Sequence, residues 1–472
     1  PQLLERFRAR VDVPVVALHS GLTAAERLAA WRSARDGEAG IVIGTRSAVF
    51  TPLARCGLIV VDEEHDASLK QQDGFRYSAR DLAVVRARLQ TVPVVLGSAT
   101  PSLETLHNAG RGRYERLHLP ERPGQAVHPT MRLIDLRVTP TRDGLTAPLL
   151  TAIRRHLDDG GQVMLFLNRR GFAPTLFCPG CGWTADCPRC DARLTLHQRP
   201  DGLQCHHCGH RSARTAACPD CGEEPVAAGQ GTERIEEALT RHFPEAPLAR
   251  LDRDTVRSRG ELEAVLAGMR DGHTRLLVGT QMLTKGHDFP GVTLVGVLNA
   301  DQGLFGTDFR SDERLAQTIL QVSGRAGRRD RPGEVLLQTS FPEHPLLACL
   351  IDGGYEDFAR QALTHRSAAG WPPFAHLALV RAEAVARAEP QDFLAACAGL
   401  ARELLPASVR ILGPAPSPME RRQGRYRAQL LLQTTDRPAL RLALPALLEA
   451  IATLPAARRV RWSLDVDPGE LF

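Results

Sequence analysis

The sequence predicts an α/β protein: two parallel-sheet lobes, a cysteine-rich insert in the second, and an α+β domain at the C-terminus. Three observations carry this. Short apolar runs alternate with helical patterns from residue 13 to about 110 and again from 162 onward. Parallel strands require such crossover helices, so the alternation implies parallel sheets. Eight of the eleven cysteines fall within residues 178–221 as four Cys-x-x-Cys pairs, inside the second alternating stretch. Beyond residue 343 a helical stretch leads to two further alternations of strand and helix.

The bounds agree with several domains. A chain of 472 residues supports roughly three. Apolar residues make up 43%, enough for ordinary cores, and the formal charge of 59 − 54 = +5 is mildly basic, a weak pointer to nucleic acid on its own. No apolar run is long enough to span a bilayer and no signal-peptide pattern stands at the start, so a cytoplasmic location is expected. The first residue is Pro1, and Lys70 and Lys285 are the only lysines among many arginines.

In the first lobe, strands are expected at 13–18, 40–45, 57–62 and 92–97, with helices from Thr23 to about residue 35 and over 80–90. Ligands bind such sheets where the strands end. The polar clusters lie there: Thr45-Arg46-Ser47, Asp62-Glu63-Glu64-His65 and Ser98-Ala99-Thr100. An acidic pair after a buried strand suits Mg²⁺, which takes few protein carboxylates plus phosphates. Asp62 would join the Mg²⁺ shell and Glu63 would orient or deprotonate the attacking water. Taken alone the run also reads as a solvated acidic turn; the hydroxyls of 98–100, one strand later, favour the nucleotide reading. The loop over 71–80, QQDGFRYSAR, sets Phe75, Arg76 and Tyr77 together. Aromatic faces stack on bases and guanidinium groups hold phosphates, although core packing would also account for Phe75 and Tyr77.

The cysteine pairs are Cys178/Cys181, Cys187/Cys190, Cys205/Cys208 and Cys218/Cys221. Each pair is half of a tetrahedral zinc shell. Disulfides or redox pairs are the alternatives, but disulfides suit small secreted domains. Fourteen residues separate Cys190 from Cys205, and only five separate Cys181 from Cys187, which is tight for opposed knuckles. The inner pairs Cys187/Cys190 and Cys205/Cys208 are therefore expected to share one zinc and the outer pairs Cys178/Cys181 and Cys218/Cys221 a second. All-thiolate sites leave no open position for a catalytic water, so both are expected to be structural. Nested sites bring the ends of the insert together, so it can sit inside a host lobe.

Around the insert, strands are expected at 162–167, 275–280 and 292–299. Thr280, Gln281, Gly286 and Asp288 follow the second of these, and the helix over 317–328 ends with Arg325 and Arg328, placed to offset charge on phosphates. In the C-terminal domain, strands are expected at 408–413 and 428–433 and a helix at 437–453. The basic run RRQGRYR at 421–427 reads either as a DNA contact or as a solvated hairpin, the latter favoured.

These motifs resemble those of superfamily 2 helicases. Gly44-Thr45-Arg46-Ser47 is similar to motif Ib, residues 62–65 to motif II, 98–100 to motif III, Gly231-Thr232-Glu233-Arg234 to the start of motif IV, 279–289 to motif V and 317–328 to motif VI. A second lobe interrupted by four Cys-x-x-Cys pairs, preceded by FLNRRGF and followed by GTERIEE, resembles the primosomal, PriA-type family of replication-restart helicases over nearly the whole chain. The resemblance implies two RecA-like lobes, the first incomplete: lobe 1 over 1–120, lobe 2 over 121–171 and 229–342, the zinc insert over 172–228 and the C-terminal domain over 343–472. It implies ATP and Mg²⁺ at Asp62, Glu63, His65, Gly286, Asp288, Arg325 and Arg328, with Gln321 beside the arginines in catalysis. It implies DNA contacts at Thr45, Arg46, Phe75, Arg76, Tyr77, Thr280 and Gln281. It further implies 3′–5′ DNA unwinding at stalled forks by a monomer that meets single-stranded-DNA-binding protein and other primosome proteins.

The sequence departs from the family in one respect. The phosphate loop G-x-x-x-x-G-K-[ST] does not occur, since Lys70 lies in Leu-Lys-Gln and Lys285 in Thr-Lys-Gly. The family carries that loop upstream, so either the lineage has lost it or, as Pro1 and the standing motifs II, III, V and VI favour, an N-terminal part is missing. The first lobe is expected to leave apolar surface uncovered. A non-catalytic DNA-binding scaffold for primosome assembly is the other reading; an RNA helicase is disfavoured by the insert.

Overall fold

The computed structural model describes residues 2–119, 129–167, 175–198, 201–228, 232–252, 255–256, 258–284, 289–327 and 332–471. It divides into two compact units, Pro1–Arg111 and Gly112–Phe472.

In the first unit the four expected strands are present as Val15–Leu18, Ile41–Gly44, Ile59–Asp62 and Val94–Gly97. They form two parallel ladders, Val15–Leu18 with Ile41–Gly44 and Ile59–Asp62 with Val94–Gly97, rather than the single sheet that the alternation suggests. Each ladder is only four residues long; in the second Val60 and Val95 are 61% and 42% exposed, as is Leu58 just before it at 52%, while Val15 and Leu18 of the first are buried. Local signals set the helices. Thr23 and Glu26 form a reciprocal capping box at the start of Ala24–Arg35. Ser78 caps Ala79–Gln90, and Thr91 ends it in the left-handed conformation with φ 55°.

The second unit holds a six-stranded parallel sheet in the order Leu248–Leu251, Leu276–Gly279, Gln162–Leu167, Val292–Leu298, Glu334–Thr339, Thr130–Asp135. Its central strands are buried along their whole length, which is why they read as unbroken apolar runs. Cores lie on both faces: Leu149, Ile153, Ile235 and Leu239 on one, Phe289, Leu315, Ile319 and Val322 on the other. Gly296 lies on the buried central strand opposite Leu165, with no room for a side chain; a Cβ there would stand 2.5 Å from Leu165 Cδ2. Helices Pro345–Asp352 and Gly354–Ala369, which the sequence reading grouped with the C-terminal domain, pack Leu346, Leu347, Leu350 and Phe358 into this lobe's core.

The insert enters and leaves through one antiparallel pair, Thr175–Phe177 with Val226–Ala228, so its ends meet. Between them lie the cysteine knuckles and a small sheet of Thr195–Gln198, Asp201–Gln204 and Arg211–Ser212.

The C-terminal domain runs His376–Ala384, Glu389–Leu404, Arg410–Arg422, Arg425–Thr434, Arg437–Thr453 and Arg461–Val466 as β-α-β-β-α-β. Its antiparallel sheet has the order second, third, first, fourth strand, the split βαβ arrangement. Both helices bury Phe393, Leu394, Leu440, Leu444 and Leu447 against Val380, Leu430 and Leu432. The expected strand at 408–413 continues to Arg422 through two register shifts, forming a long hairpin with Arg425–Thr434. The turn of that hairpin stays exposed at Arg422, Gln423 and Gly424, as the solvated reading expects, but its backbone is also hydrogen-bonded to the insert.

Candidate nucleotide, nucleic-acid and metal sites

The acidic turn follows directly from a strand end. Asp62 is the last residue of Ile59–Asp62, and its Oδ1 accepts from the Glu63 amide at 3.0 Å. Glu63 then takes a left-handed backbone, φ 49°, unusual for a residue with a side chain. Both carboxylates are exposed, as a metal-and-phosphate site requires. The next two residues turn inward. The Glu64 amide donates to Gly97 O at 3.1 Å, and His65 Nδ1 lies 2.7 Å from Ser98 Oγ. The acidic turn is thus bonded to the hydroxyl loop one strand away.

Glu64 was given no role in the sequence reading. Its side chain is fully buried and accepts from the Ser102 amide at 2.6 Å, Ser102 Oγ at 3.0 Å, Thr105 Oγ1 at 2.9 Å and Arg80 at 3.2 Å. Burial works against the Arg80 cation, but Asp81, Glu104 and Glu64 around it outweigh that and raise its pKa. Nothing in a run of three acids marks the middle one as exposed and the third as buried; only the fold separates them.

The two lobes repeat one device. Ile41–Gly44 ends in Gly-Thr and runs into the 3₁₀ turn Arg46–Phe50; Leu276–Gly279 ends in Gly-Thr and runs into Gln281–Thr284. The threonine amide donates to the last carbonyl of the neighbouring strand, Thr45 to Leu18 at 3.1 Å and Thr280 to Leu251 at 3.4 Å. A Cβ on Gly44 or Gly279 would stand 2.6 Å from that carbonyl, so both positions require glycine. Thr45 is exposed and Thr280 buried.

Arg46 donates to Ser68 O at 2.9 Å and Lys70 O at 3.2 Å, so it holds the start of the aromatic loop. In that loop the Gln71 amide bonds Tyr77 O at 2.8 Å, and Gly74 turns the chain at φ 65°. Phe75 projects 75% exposed, 5.8 Å from the Tyr77 ring. Phe50, which the sequence reading passed over, packs edge-on against Tyr77 at 4.8 Å and is itself 52% exposed. Arg76 bonds within the loop, to Gly74 O at 3.4 Å.

Gln321 lies in Ser311–Ser323, and Arg325 follows on the turn that ends this helix; both are half-buried. Gln281 begins its 3₁₀ turn. Gly286, Asp288 and Arg328 lie outside the described residues, as does the side chain of Gln281.

The eight cysteine sulfurs form two groups, Cys178, Cys181, Cys218 and Cys221, and Cys187, Cys190, Cys205 and Cys208, with every sulfur of a group within 4.8 Å of the others. This is the nested pairing that the loop lengths call for. Sulfur separations of 3.4, 3.5 and 3.7 Å match a tetrahedral Zn–S₄ shell, whose ligands about 2.3 Å from the metal stand roughly 3.8 Å apart. In the outer group Cys181 and Cys221 are exposed; in the inner group three thiols are buried and Cys208 partly so. Burial pushes Cys190 up to about 12, opposed by the Gln423 amide. Burial also opposes ionisation of Cys208, but the His210 amide and the surrounding thiols bring it down to about 7.

A parallel-sheet lobe interrupted by a two-site Cys₄ insert, in one chain with a unit whose acidic turn is bonded to a Ser-Ala-Thr loop, defines a helicase-type protein with a zinc-binding region. The sequence matches the DEAD/DEAH box helicase family over 1–109 and the helicase conserved C-terminal domain over 226–330. It matches the PriA DNA helicase Cys-rich region over 187–212 and the Primosomal protein N C-terminal domain over 367–469. It is 46% identical to the replication restart protein PriA of Haemophilus influenzae over 100% of the chain and 64% of that protein. It is 39% identical to that of Bacillus subtilis, over 99% of the chain and 59% of the relative, and 36% identical to that of Rickettsia conorii, over 100% of the chain and 72% of the relative. The chain belongs to the replication restart protein PriA family, and it spans about three-fifths of the Haemophilus and Bacillus proteins. No described helix is long and apolar enough to cross a membrane.

Proposed function

We propose that this chain is the motor and zinc-bearing portion of an ATP-driven, 3′–5′ DNA helicase that acts at stalled replication forks and promotes primosome assembly. The observation that carries the reading is the pair of bonds joining the acidic turn to the hydroxyl loop, His65 to Ser98 and Glu64 to Ser102. These bonds would pass a change at Asp62, where Mg²⁺ and nucleotide would be held, to the loop after the next strand. Asp62 would hold Mg²⁺, Glu63 would orient the attacking water, and Gln321, Arg325 and Arg328 would offset charge on the phosphates, with Gly286 and Asp288 beside them. Phe75, Tyr77 and Arg76 would stack on and hold single-stranded DNA, with Thr45, Arg46, Thr280 and Gln281 on the same strand. Single-stranded-DNA-binding protein and other primosome proteins would be its protein partners.

The test is phosphate release with and without single-stranded DNA, in the gene product that contains these 472 residues. DNA-stimulated hydrolysis lost at least a hundredfold in Glu63→Gln, with DNA binding retained, is the expected result. Hydrolysis indifferent to Glu63→Gln would overturn the motor reading and favour the scaffold. The 472 residues alone, which hold no G-x-x-x-x-G-K-[ST], should hydrolyse ATP poorly; full DNA-stimulated turnover from them would refute that.

A further inference from the structure

Three of the four knuckles are closed in the same way. The residue after the second cysteine is Gly182, Gly209 or Gly222, each left-handed at φ 79°, 72° and 81°. Its amide donates back to the carbonyl of the first cysteine: Gly182 to Cys178 at 2.9 Å, Gly209 to Cys205 at 2.8 Å, Gly222 to Cys218 at 2.9 Å. Glycine adopts this backbone at little cost. The fourth knuckle, Cys187/Cys190, has Asp191 in that position. Its amide donates instead to Arg421 O at 2.8 Å, in the C-terminal domain. The Cys187 carbonyl, whose counterparts accept the glycine amide, receives the Arg421 guanidinium at 3.5 Å. One residue of the C-terminal hairpin thus supplies both halves of the bond that the other knuckles make internally.

Further bonds surround it. Asp191 Oδ2 accepts from the Arg421 amide at 2.6 Å, and its carboxylate lies 3.5 Å from the Arg421 guanidinium. The hairpin turns through Gln423 and Gly424 with φ 56° and 76°, both positive as a two-residue type I′ loop requires. From that loop the Gly424 amide donates to Arg189 O at 2.7 Å, the Gln423 amide to Cys190 Sγ at 3.2 Å, and the Gln423 side chain to His207 O at 3.4 Å. The last contact reaches the opposed knuckle, so the hairpin tip touches both halves of the inner cluster.

We propose that the inner zinc centre is a two-domain site. The tip of the C-terminal hairpin, Arg421 to Gly424, completes its fourth knuckle, so zinc binding there and docking of the C-terminal domain on the insert form one coupled equilibrium. The outer centre, whose knuckles both close on themselves, stands outside it. The proposal rests on the reading of the eight cysteines as zinc ligands. Coupling is reciprocal: whatever factor docking adds to zinc affinity, zinc adds to docking. Partners beyond the ligands commonly change metal affinity about ten- to a hundredfold when removed.

The experiment follows zinc release from the full chain to a chelator with a metallochromic indicator. Arg421→Glu sets a carboxylate against Asp191 and removes the bond to Cys187 O; one of the two zincs should leave tenfold faster or more, the other at the parent rate. Arg422→Glu makes the same charge change on an exposed side chain that takes part in none of these bonds, and should leave both rates unchanged. In an Asp191→Gly background, which gives the fourth knuckle the glycine of the others, Arg421→Glu should lose its effect. As a second readout, amide exchange at 421–424 should rise in Cys205→Ser and not in Cys221→Ser. Unchanged release in Arg421→Glu, equal acceleration of both zincs, or equal exchange in the two serine variants would overturn the coupling. A parent chain without bound zinc would refute the metal reading itself.

Discussion

Replacing Glu64 by alanine removes the carboxylate on which four donors of the first unit converge. Its side chain is fully buried, and the bonds from the Ser102 amide, Ser102 Oγ, Thr105 Oγ1 and Arg80 are 2.6 to 3.2 Å long. Removing one partner of a buried ion pair costs about 3–5 kcal/mol, because the other is left charged and unpaired. Two features favour the lower end. Arg80 keeps its pair with Asp81 at 2.9 Å, and its side chain is 19% exposed, so water reaches the stranded cation. We therefore expect a loss of about 3 kcal/mol, which at 1.4 kcal/mol per tenfold is roughly a hundredfold. Native-state hydrogen exchange reads it locally: the amides of Ile59–Asp62 and Val94–Gly97 should exchange roughly a hundredfold faster, while those of Gln162–Leu167 in the second unit keep the parent rate. Glu64→Gln, which retains an acceptor oxygen, should fall between alanine and parent. Exchange of both strands within threefold of the parent in Glu64→Ala would refute the reasoning, since the network would then not hold the acidic turn.

Other outcomes follow from the same geometry. Cys205→Ser should reduce bound zinc from two to one per chain by elemental analysis, and Cys221→Ser likewise, with the double variant losing both; loss of both metals from either single variant would contradict independent outer and inner groups. Phe75→Ala should leave stability unchanged, because the ring is 75% exposed, yet weaken single-stranded DNA binding by about 1–3 kcal/mol in fluorescence anisotropy. Phe50→Ala should weaken it too and also loosen Tyr77, against which it packs at 4.8 Å. Gly296→Ala should destabilise the second lobe by about 1–3 kcal/mol in urea unfolding, since its Cβ would stand 2.5 Å from Leu165 Cδ2.

The elements were largely legible because their signals are local. Thr23 with Glu26, and Ser78 before an amphipathic run, announce helix starts through bonds within one turn of chain. Buried parallel strands announce themselves as apolar runs, as 162–167 does. The zinc groups were legible through loop length, which limits what two knuckles can face. What could not be read depends on partners far along the chain. Glu63 and Glu64 are the same residue type, yet one is exposed and the other is buried against Ser102 and Thr105, a separation of about forty residues. The joining of four strands into two ladders rather than one sheet is likewise a matter of pairing between segments, which no single run records.

Asp191 lies between these cases. Three knuckles read Cys-x-x-Cys-Gly and one reads Cys-x-x-Cys-Asp, so the departure is visible in the sequence. Its meaning is not, because the residue that takes over the missing bond, Arg421, lies 230 positions away. The basic run around Arg421 carried the opposite ambiguity: its charge suits DNA or, slightly favoured, solvent, and only the docked turn shows that its backbone amides are committed to Arg189, Asp191 and Cys190. An exception within an internal repeat is therefore a place to look for a distant partner. A knuckle that does not close its own hydrogen bond must either expose those groups to water or borrow the bond from another element; Cys187, which carries one of the two groups, is only 2% exposed, and Arg421 meets both.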